Sequence, residues 1–379
     1  MKVRLLHTAD WQIGRVFSQF EPDDAAALFE ARFATVERIA ALASEHSVDA
    51  VLVAGDVFDA QTVADKTIRR LFQAMQGYAG TWLLLPGNHD AALAESVWTR
   101  AQRLGVLTTN VRACLESRAQ IIDERFALLP APLKQRHTYD DLSRWFDDAD
   151  TPPQLPRIGF AHGSVQGVLA EGIDSANPIA ADRAARARLD YLALGDWHGC
   201  KQIDARTWYS GTHEPERFKD NDPGHCLLVE IDGAGATPEV RALPCGRYRW
   251  QTLDAHLRIA SDLDVLIEQL SARGADDVLQ LRISGVCDLA SQRRLQQAID
   301  GARARLRALV TTTPTLSLQP TPDDLDALHA DGYVGEVLQT LRDEQTGADG
   351  ERARDALVIL ARLLDEQRAR STPRAVGPA

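Results

Sequence analysis

Five short polar clusters in the first half of the chain carry side chains that bind metal ions or transfer protons. They are His7-Thr-Ala-Asp10-Trp-Gln12, Gly55-Asp56-Val-Phe-Asp59, Gly87-Asn88-His89-Asp90, Ala161-His162-Gly163 and Gly195-Asp196-Trp197-His198. Carboxylate, imidazole and amide groups are ligands for divalent cations, and an imidazole also serves as an acid or base near neutral pH. The residue types therefore indicate metal-assisted chemistry.

Each cluster directly follows a short apolar run, which predicts that it lies at the end of a strand. Strands are predicted at Val3–His7, Asp49–Ala54, Thr81–Leu85, Phe126–Leu129, Arg157–Ala161, Tyr191–Leu194, Thr207–Tyr209 and Cys226–Ile231, and helices at Ala25–Glu45 and Val63–Tyr78. This alternation is typical of a layered α/β domain. Loops converge at the carboxyl edge of such a sheet, so the clusters are expected to meet there.

The pattern changes after about residue 246. A strand is predicted at Asp277–Ile283, a helix at Leu289–Leu309, a strand at Thr315–Leu318, helices at Val334–Asp343 and Ala348–Arg368, and a frayed tail at Ser371–Ala379. The sequence thus predicts a main domain over residues 1–246, a small α/β capping domain over 247–330 and a helical C-terminal segment over 331–379.

Composition limits the function classes. The chain of 379 residues has a formal net charge of −12, which counts against a protein that simply coats DNA, because affinity for phosphates comes from Lys and Arg. It does not exclude a nuclease, since bound divalent ions add positive charge. Five cysteines without a CxxC pair, no signal-peptide pattern and no apolar run long enough to span a membrane favour a soluble, cytoplasmic protein.

Any single cluster could be an ordinary strand-to-loop turn, where Gly, Asn and Asp are common. Together, in this order, the five resemble the calcineurin-like metallophosphoesterase superfamily, whose motifs run D-x-H, G-D-x-x-D/N, G-N-H-D/E, H and G-H-x-H. HTADW, GDVFD, LPGNHD and the Tyr-Ser-Gly-Thr before Glu-Pro most resemble its SbcD type of DNA-repair nuclease. The resemblance covers residues 1–240 and implies a layered β-sandwich flanked by helices, followed by a capping domain.

The resemblance also implies a centre of two divalent ions. One ion would be bound by Asp10, Gln12, Asp56 and His198, and the other by Asp56, Asn88, His162 and Asp196, with Asp56 bridging the two. His89 would lie beside the scissile phosphate and protonate the leaving oxygen or stabilise its charge, and Asp90 would orient the His89 imidazole. Two ions suit phosphodiester hydrolysis because they lower the pKa of the attacking water and compensate charge on the phosphate.

Two positions depart from the family pattern, since Gln12 and Asp196 stand where it has histidine. Oxygen ligands shift the expected metal towards Mn²⁺. The added negative charge of Asp196 disfavours a phosphomonoester dianion relative to a diester. Both replacements can still coordinate, so the chain resembles a variant clade of manganese-dependent DNA endonucleases marked by DWQ and GDWH, associated with bacterial helicase-and-ligase repair systems. A metal-free scaffold is the alternative.

Three further residues are candidate substrate contacts. Trp11 and Trp197 flank predicted ligands, and their rings either stack on a base of single-stranded DNA or pack in the core. His213, on a predicted loop, is either an ordinary surface histidine or a contact to the phosphate. His7 is expected to be a buried, hydrogen-bonded histidine of the first strand.

The leading functional hypothesis is a Mn²⁺-dependent DNA nuclease that cuts single strands or flaps. A phosphatase or small-molecule phosphodiesterase on the same site, and a non-catalytic scaffold, are the alternatives. Nucleases of this type work beside an SMC-like ATPase, and the amphipathic segment Asp355–Leu364 either docks such a partner or packs on its own domain. The sequence leaves open whether the chain forms a homodimer.

Overall fold

The computed structural model describes residues 2–167, 176–327, 332–347 and 349–371. The chain divides into two compact units, Met1–Trp250 and Gln251–Ala379. The predicted frayed tail lies outside the described residues except for Ser371, and so does Ala348, the predicted first residue of the last helix.

The first unit consists of short strands joined by helices and loops. Its strands are β1 (Val3–Thr8), β2 (Ala50–Val53), β3 (Thr81–Leu84), β4 (Val111–Ala113), β5 (Gln120–Ile122), β6 (Phe126–Ala131), β7 (Arg157–His162), β8 (Ser164–Val165), β9 (Pro178–Ile179), β10 (Tyr191–Gly195), β11 (Lys201–Gln202), β12 (Thr207–Tyr209), β13 (His225–Ile231) and β14 (Glu239–Pro244). Its α-helices are α1 (Pro22–Glu45), α2 (Asp65–Ala74), α3 (Val97–Arg103) and α4 (Arg183–Arg186), and 3₁₀ helices span Met75–Gly77 and Arg144–Asp148.

Two six-stranded sheets form the body of this unit. Their strand orders are β14-β13-β1-β2-β3-β4 and β11-β12-β10-β7-β6-β5. In the first sheet β1, β2, β3 and β4 run parallel, and in the second β6, β7, β10 and β12 do. The carboxyl ends of neighbouring parallel strands therefore lie at one edge of each sheet.

The central strands are apolar on both faces because each face is covered. In β2, Ala50 and Leu52 pack into the core between the sheets, whereas Val51 and Val53 face the helices. Alternate residues of a strand point to opposite faces, so a continuous apolar run is what a fully buried strand requires. The predicted layered β-sandwich flanked by helices is confirmed.

Helix α1 supplies much of the outer layer beside the first sheet. It begins with Pro22, whose fixed φ suits the first helical turn, followed by Asp23 and Asp24, whose charges favour a helix N-terminus. Its buried face includes Phe33, Val36 and Ile39, but also the arginine Arg32. A buried arginine on an otherwise apolar face needs polar partners, which the loops of the site provide.

The second unit combines a small sheet with helices, as predicted. Its elements are β15 (Arg249–Leu257), α5 (Ala260–Ser271), β16 (Asp277–Cys287), α6 (Leu289–Arg305), β17 (Ala308–Leu318), α7 (Pro322–Ala327), α8 (Tyr333–Glu344) and α9 (Gly350–Ser371). The sheet order is β15-β16-β17, and α5 and α6 pack on it through residues such as Leu266 and Ile299. Across the described ranges, no helix is both long and apolar enough to cross a membrane.

One predicted boundary in this unit is wrong. The helix expected to continue to Leu309 ends at Arg305, and the chain becomes extended at Leu306, with φ −73° and ψ 159°. Strand β17 then starts at Ala308, because parallel pairing with β16 aligns Val278 with Ala308 and continues to Leu318. The β-branched run that starts at Val310 favours this strand over a longer helix.

We predict that truncating Leu52 to alanine lowers the free energy of unfolding by about 2–5 kcal/mol, because the cavity would open between two closely packed sheets. Leu93→Ala is the matched control, since Leu93 is 40% exposed, and its effect should stay below about 0.5 kcal/mol. Urea denaturation followed by tryptophan fluorescence measures both. Equal effects of the two substitutions would contradict this packing.

Candidate metal centre

The side chains of the centre come from the carboxyl ends of parallel strands in both sheets. Asp10 and Gln12 follow β1, Asp56 follows β2, and Asn88 and His89 follow β3. His162 is the last residue of β7, and Asp196 and His198 follow β10. Two sheet edges that face each other thus provide all the predicted ligands.

Glycine allows these two edges to approach closely. A Cβ added to Gly55, which has φ +90°, would lie 2.1 Å from His162 Nδ1. A Cβ on Gly195 would lie 1.9 Å from the carbonyl oxygen of Ala54. Since real Cβ contacts are never this short, both positions require glycine for the site to keep its geometry.

Four predicted ligands have backbones in the left-handed region. The φ angles are 52° at Asp10, 39° at Gln12, 51° at Asp56 and 102° at Asp196. Such conformations are unfavourable for residues with a Cβ and persist only where surrounding bonds hold them. Two such bonds join the loops after β1 and β2, from Asp10 N to Gly55 O (3.0 Å) and from Gln12 N to Asp56 O (2.7 Å).

Arg32 holds the same loop from the side of α1. Its Nε donates to the Trp11 carbonyl oxygen at 2.8 Å, and Nη2 reaches the Asp10 carbonyl oxygen at 3.3 Å. Nη1 donates to the carbonyl oxygen of Glu214 at 3.2 Å. The buried guanidinium therefore ties the loop after β1 to the loop after β12.

The acidic centre of the site is buried. Asp10, Asp56 and His162 each offer a ligand atom, and these atoms lie within 4.8 Å of one another. His162 Nε2 is 2.9 Å from Asn88 Oδ1, 3.5 Å from Asp56 Oδ1 and 3.8 Å from Asp196 Oδ1. On the other side, His198 Nε2 is 3.9 Å from Asp10 Oδ1.

Each of the three histidines has its Nδ1 engaged and its Nε2 directed into the centre. Nδ1 of His162 donates to the carbonyl oxygen of Ala54 at 2.9 Å, and Nδ1 of His89 donates to the carbonyl oxygen of Asp59 at 2.8 Å. Nδ1 of His198 bonds Glu216 Oε1 at 2.5 Å. An anchored Nδ1–H fixes the ring and the tautomer, leaving Nε2 as the lone pair for a cation or a proton.

Glu216, which the sequence did not single out, is part of this support. Its carboxylate is buried and lies 3.2 Å from Arg15 Nε, 3.8 Å from Arg32 Nη1 and 2.9 Å from Arg217 Nη2. Burial would raise the pKa of Glu216, but its bond to His198 and the neighbouring arginines hold it below its usual range. Glu216 is therefore a fixed anion behind His198, and no motif in the sequence marks it.

Burial and crowding of like charges shift the pKa values of the centre. Burial, with Asp56 and Asp196 adding repulsion, raises the pKa of Asp10 to about 6 against the attraction of His198 and His162. Burial also raises the pKa of Asp196. Burial alone would lower the pKa of His162, but Asp56, Asp10 and Asp196 outweigh it and raise the pKa to about 9. A positive charge is thus favoured at the centre of these carboxylates.

These features fit divalent ions. Two nearly inaccessible carboxylates face each other across an imidazole, and burying like charges together is costly unless a cation balances them. Carboxylate oxygens, an amide oxygen and imidazole nitrogens form a donor set for first-row divalent metals. The structure brings Asp10, Asp56, Asn88, His162, Asp196 and His198 together; their ligation of metal stays a prediction.

Gln12 and Asp90 form contacts in the structure that differ from the predicted ones. The oxygen of Gln12, Oε1, accepts from Arg15 Nη1 at 2.8 Å, and Gln12 Nε2 lies 3.4 Å from His198 Nε2. Gln12 as a ligand stays a prediction. Asp90 does not orient the His89 ring as expected: its carboxylate accepts from the backbone N–H groups of Gly87 (2.7 Å) and Phe58 (3.1 Å). Asp90 therefore joins the loop after β2, which carries Asp56, to the loop after β3, which carries Asn88.

Trp11 and His213 are removed from the candidate substrate contacts because both are fully buried. The indole of Trp11 donates to Thr8 Oγ1 at 2.9 Å and packs against Trp82. His213 is neither a surface histidine nor a phosphate contact, since its Nε2 donates to the carbonyl oxygen of Arg32 at 3.0 Å. Helix α1 covers the loops that carry Trp11 and His213. The sequence pattern does not reveal this covering.

The expectations for His7 and Trp197 have different outcomes. His7 is buried and hydrogen-bonded as predicted, with Nδ1 2.8 Å from the Tyr191 hydroxyl and Nε2 3.1 Å from the carbonyl oxygen of Leu194. Trp197 is half-buried between Asp196 and His198. It therefore lies near the centre, and base stacking on it stays a prediction.

A layered α/β sandwich with a buried carboxylate–imidazole centre at its strand ends defines a metal-dependent phosphoesterase. The family model for calcineurin-like phosphoesterase matches residues 3–200, and the chain belongs to this family, which uses divalent metals.

Three relatives place the chain within the family. The SbcD component of nuclease SbcCD from Rhodobacter capsulatus is 37% identical over 364 residues, covering 82% of this chain and 88% of that protein. DNA double-strand break repair protein Mre11 of Methanosarcina acetivorans is 22% identical, covering 76% of this chain and 46% of that protein. The uncharacterized metallophosphoesterase YhaO of Bacillus subtilis is 24% identical, covering 60% and 57%. The resemblance to the SbcD type is confirmed over most of the chain.

We predict that Glu216→Gln weakens binding of a divalent ion by about 10–100-fold, because the His198 ring loses the anion that fixes its Nδ1–H. Calorimetric titration with Mn²⁺ measures the affinity, and a thermal melt verifies folding. Glu239→Gln, at an exposed position of β14, is the matched control. Unchanged metal affinity in Glu216→Gln would show that Glu216 has no positioning role.

A second prediction concerns proton release. With a pKa of about 9, His162 is protonated at pH 7.5 in the ion-free protein, so an ion that binds there must displace that proton. Metal affinity should therefore rise with pH up to about 9, with release of about one proton at pH 7.5. Calorimetry in buffers of different ionisation enthalpy counts the protons. His162→Gln should abolish this release; the same release from that variant would contradict the assignment.

Proposed function

We propose that this chain is a metal-dependent phosphodiesterase that acts on DNA, and that it is a Mn²⁺-dependent endonuclease for single-stranded or flap DNA in DNA repair. The observation that carries the proposal is the buried centre formed by Asp10, Asp56 and His162 in a chain 37% identical, over most of its length, to a protein named as part of a nuclease. The name of the Mre11 relative, a DNA double-strand break repair protein, supports the same substrate.

Most of the proposed ligands come as a preformed set. The proposed bridging role of Asp56 is supported by its neighbours: Asp56 Oδ1 is 3.5 Å from Nε2 of His162, a proposed ligand of one ion, and the carboxylate lies within 4.8 Å of that of Asp10, a proposed ligand of the other. Bound ions would supply positive charge against the phosphate oxygens and lower the pKa of the attacking water. Oxygen donors at Gln12 and Asp196 support Mn²⁺ over zinc.

His89 is the proposed proton donor to the leaving oxygen. Its Nδ1–H is held by the Asp59 carbonyl oxygen, so Nε2 is the atom that carries and transfers a proton. The side chain is 27% exposed, whereas His162 is inaccessible, so of these two His89 is the one that a phosphate can reach. General acid catalysis of this kind contributes about 10²–10⁴-fold.

The name of the first relative describes one component of a larger nuclease. We propose that this chain likewise acts with an SMC-like ATPase, or within a helicase-and-ligase repair system. In the described part of α9, Leu357 and Ala361 are buried against α8 and its neighbours, whereas Ile359 and Leu363 are exposed. The exposed pair supports docking of a partner on that helix. Homodimerisation and a cytoplasmic location stay predictions.

The proposed function predicts that the protein linearises circular single-stranded DNA with Mn²⁺ and that both Asp56→Ala and His89→Ala lose this activity. Asp56→Ala removes the shared carboxylate, and His89→Ala should lower the rate about 10²–10⁴-fold while the ligands stay in place. His137→Ala, at an exposed position, is the control. Gel electrophoresis follows linearisation, and reactions with Mg²⁺, Zn²⁺ or chelator test the choice of metal.

The alternative functions give different results in the same assay. Hydrolysis of a simple aryl phosphodiester without cleavage of the circle would contradict endonuclease action on DNA and favour a small-molecule phosphodiesterase. Hydrolysis of phosphomonoesters alone would favour a phosphatase. If neither substrate is hydrolysed although metal binds, the enzyme proposal fails and a scaffold remains.

A further inference from the structure

Two of the few lysines in the chain converge on one aromatic ring. Only five lysines occur among its 42 lysine and arginine residues. Lys219 Nζ lies 4.4 Å from the ring centroid of Trp197, and Lys201 Nζ lies 5.2 Å from it. Ammonium groups at these distances are held by the negative face of the indole.

The ring is fixed next to the proposed metal centre. Trp197 lies in sequence between Asp196 and His198, which both face the centre. Its apolar surface also packs against the core cluster on the outer face of the second sheet. Because this core supports the ring, the two ammonium groups are held against a fixed residue that is adjacent in sequence to two proposed ligands.

The backbone around the ring is also tied down. Cys200 N donates to the carbonyl oxygen of Asp222 at 3.0 Å, and a Cβ on Gly199 would lie 1.9 Å from the carbonyl oxygen of Asn221. The loop that carries Lys219 therefore packs closely against the segment that leads into β11. Lys201 is the first residue of that strand. Both lysines reach the ring from backbone of fixed position.

The charges of these lysines are not neutralised nearby. Among the residues that the structure describes, neither ammonium forms an ion pair with a carboxylate within 4.0 Å. Arg15 and Arg217, by contrast, are bound to the buried Glu216. Asp222, on the same loop as Lys219, faces His225 at 3.7 Å. An indole holds a cation without cancelling its charge, so both lysines remain available to an anion.

We propose that Lys201 and Lys219, held by Trp197, form a phosphate-binding site for the DNA backbone beside the cleavage centre. The inference rests on the proposed function, since it names how that substrate is held. It is the alternative to base stacking on Trp197, because the lysine ammonium groups already lie over the ring. Lysine binds phosphate without reading sequence, so the site positions any strand equally.

The test measures how salt weakens DNA binding by the full chain. A fluorescently labelled single-stranded oligonucleotide is titrated with protein in Mn²⁺ at several salt concentrations, in a His89→Ala background so that the strand stays intact. Each lost phosphate contact should reduce the slope of log affinity against log salt by about 0.7. Lys201→Ala with Lys219→Ala should therefore reduce the slope by about 1.4 and weaken binding roughly tenfold at low salt.

The matched control is Lys66→Ala with Lys134→Ala, which removes the same charge from two exposed lysines elsewhere. An unchanged slope in the Lys201/Lys219 variant, with DNA bound as tightly as before, would overturn the phosphate site and leave the proposed function standing. Loss of affinity in Trp197→Leu without any slope change in the lysine variant would overturn it in favour of base stacking. No binding of DNA by the His89→Ala background at any salt would overturn both proposals.

Discussion

The structure depends on one electrostatic constraint, the burial of like-charged carboxylates where the two sheets meet. Asp10 and Asp56 are nearly inaccessible, and their oxygens lie within 4.8 Å of His162. Such an arrangement is unfavourable unless positive charge lies between the carboxylates, which accounts for the raised pKa of the His162 imidazole. Gly55 and the left-handed backbones keep the carboxylates from moving apart. The repulsion between them therefore persists until a cation binds.

A network of buried ion pairs and hydrogen bonds outside the centre holds the carboxylates in place. Arg32 lies on the buried face of α1, where the helical pattern alone would place an apolar residue, and its guanidinium bonds the carbonyl oxygens of the loop after β1. Glu216 balances this guanidinium and at the same time fixes His198. One ion-pair network therefore joins the outer helix layer to the innermost ligands. Removing one partner would leave a buried charge uncompensated.

Sequence reasoning placed the candidate ligands at the strand ends because a local rule does so, whereas their assignment to two ions came from the family resemblance. A fully apolar strand followed by Asp, Asn or His identifies both the strand and its carboxyl end, and parallel neighbours bring those ends together. The rule says nothing about residues that arrive from elsewhere, so Glu216 and Arg15 were missed although they touch His198 and Gln12. It also treats loop residues as exposed, which failed for His213. The boundary at Arg305 was missed for a related reason, because pairing with a distant strand ends that helix.

The same balance of charges determines how an acidic protein would bind a polyanion. A net charge of −12 disfavours long-range attraction to DNA, so affinity under the proposed function must come from positive charge concentrated at the site. Arg15 and Arg217 beside the centre share one buried carboxylate, Glu216, which offsets part of their positive charge. Bound ions and the two lysines held by Trp197 would then supply the remaining positive charge that binds DNA. Under the proposed function, such a chain would bind phosphates mainly at the cleavage centre, which would favour release of the product over tight, non-specific binding.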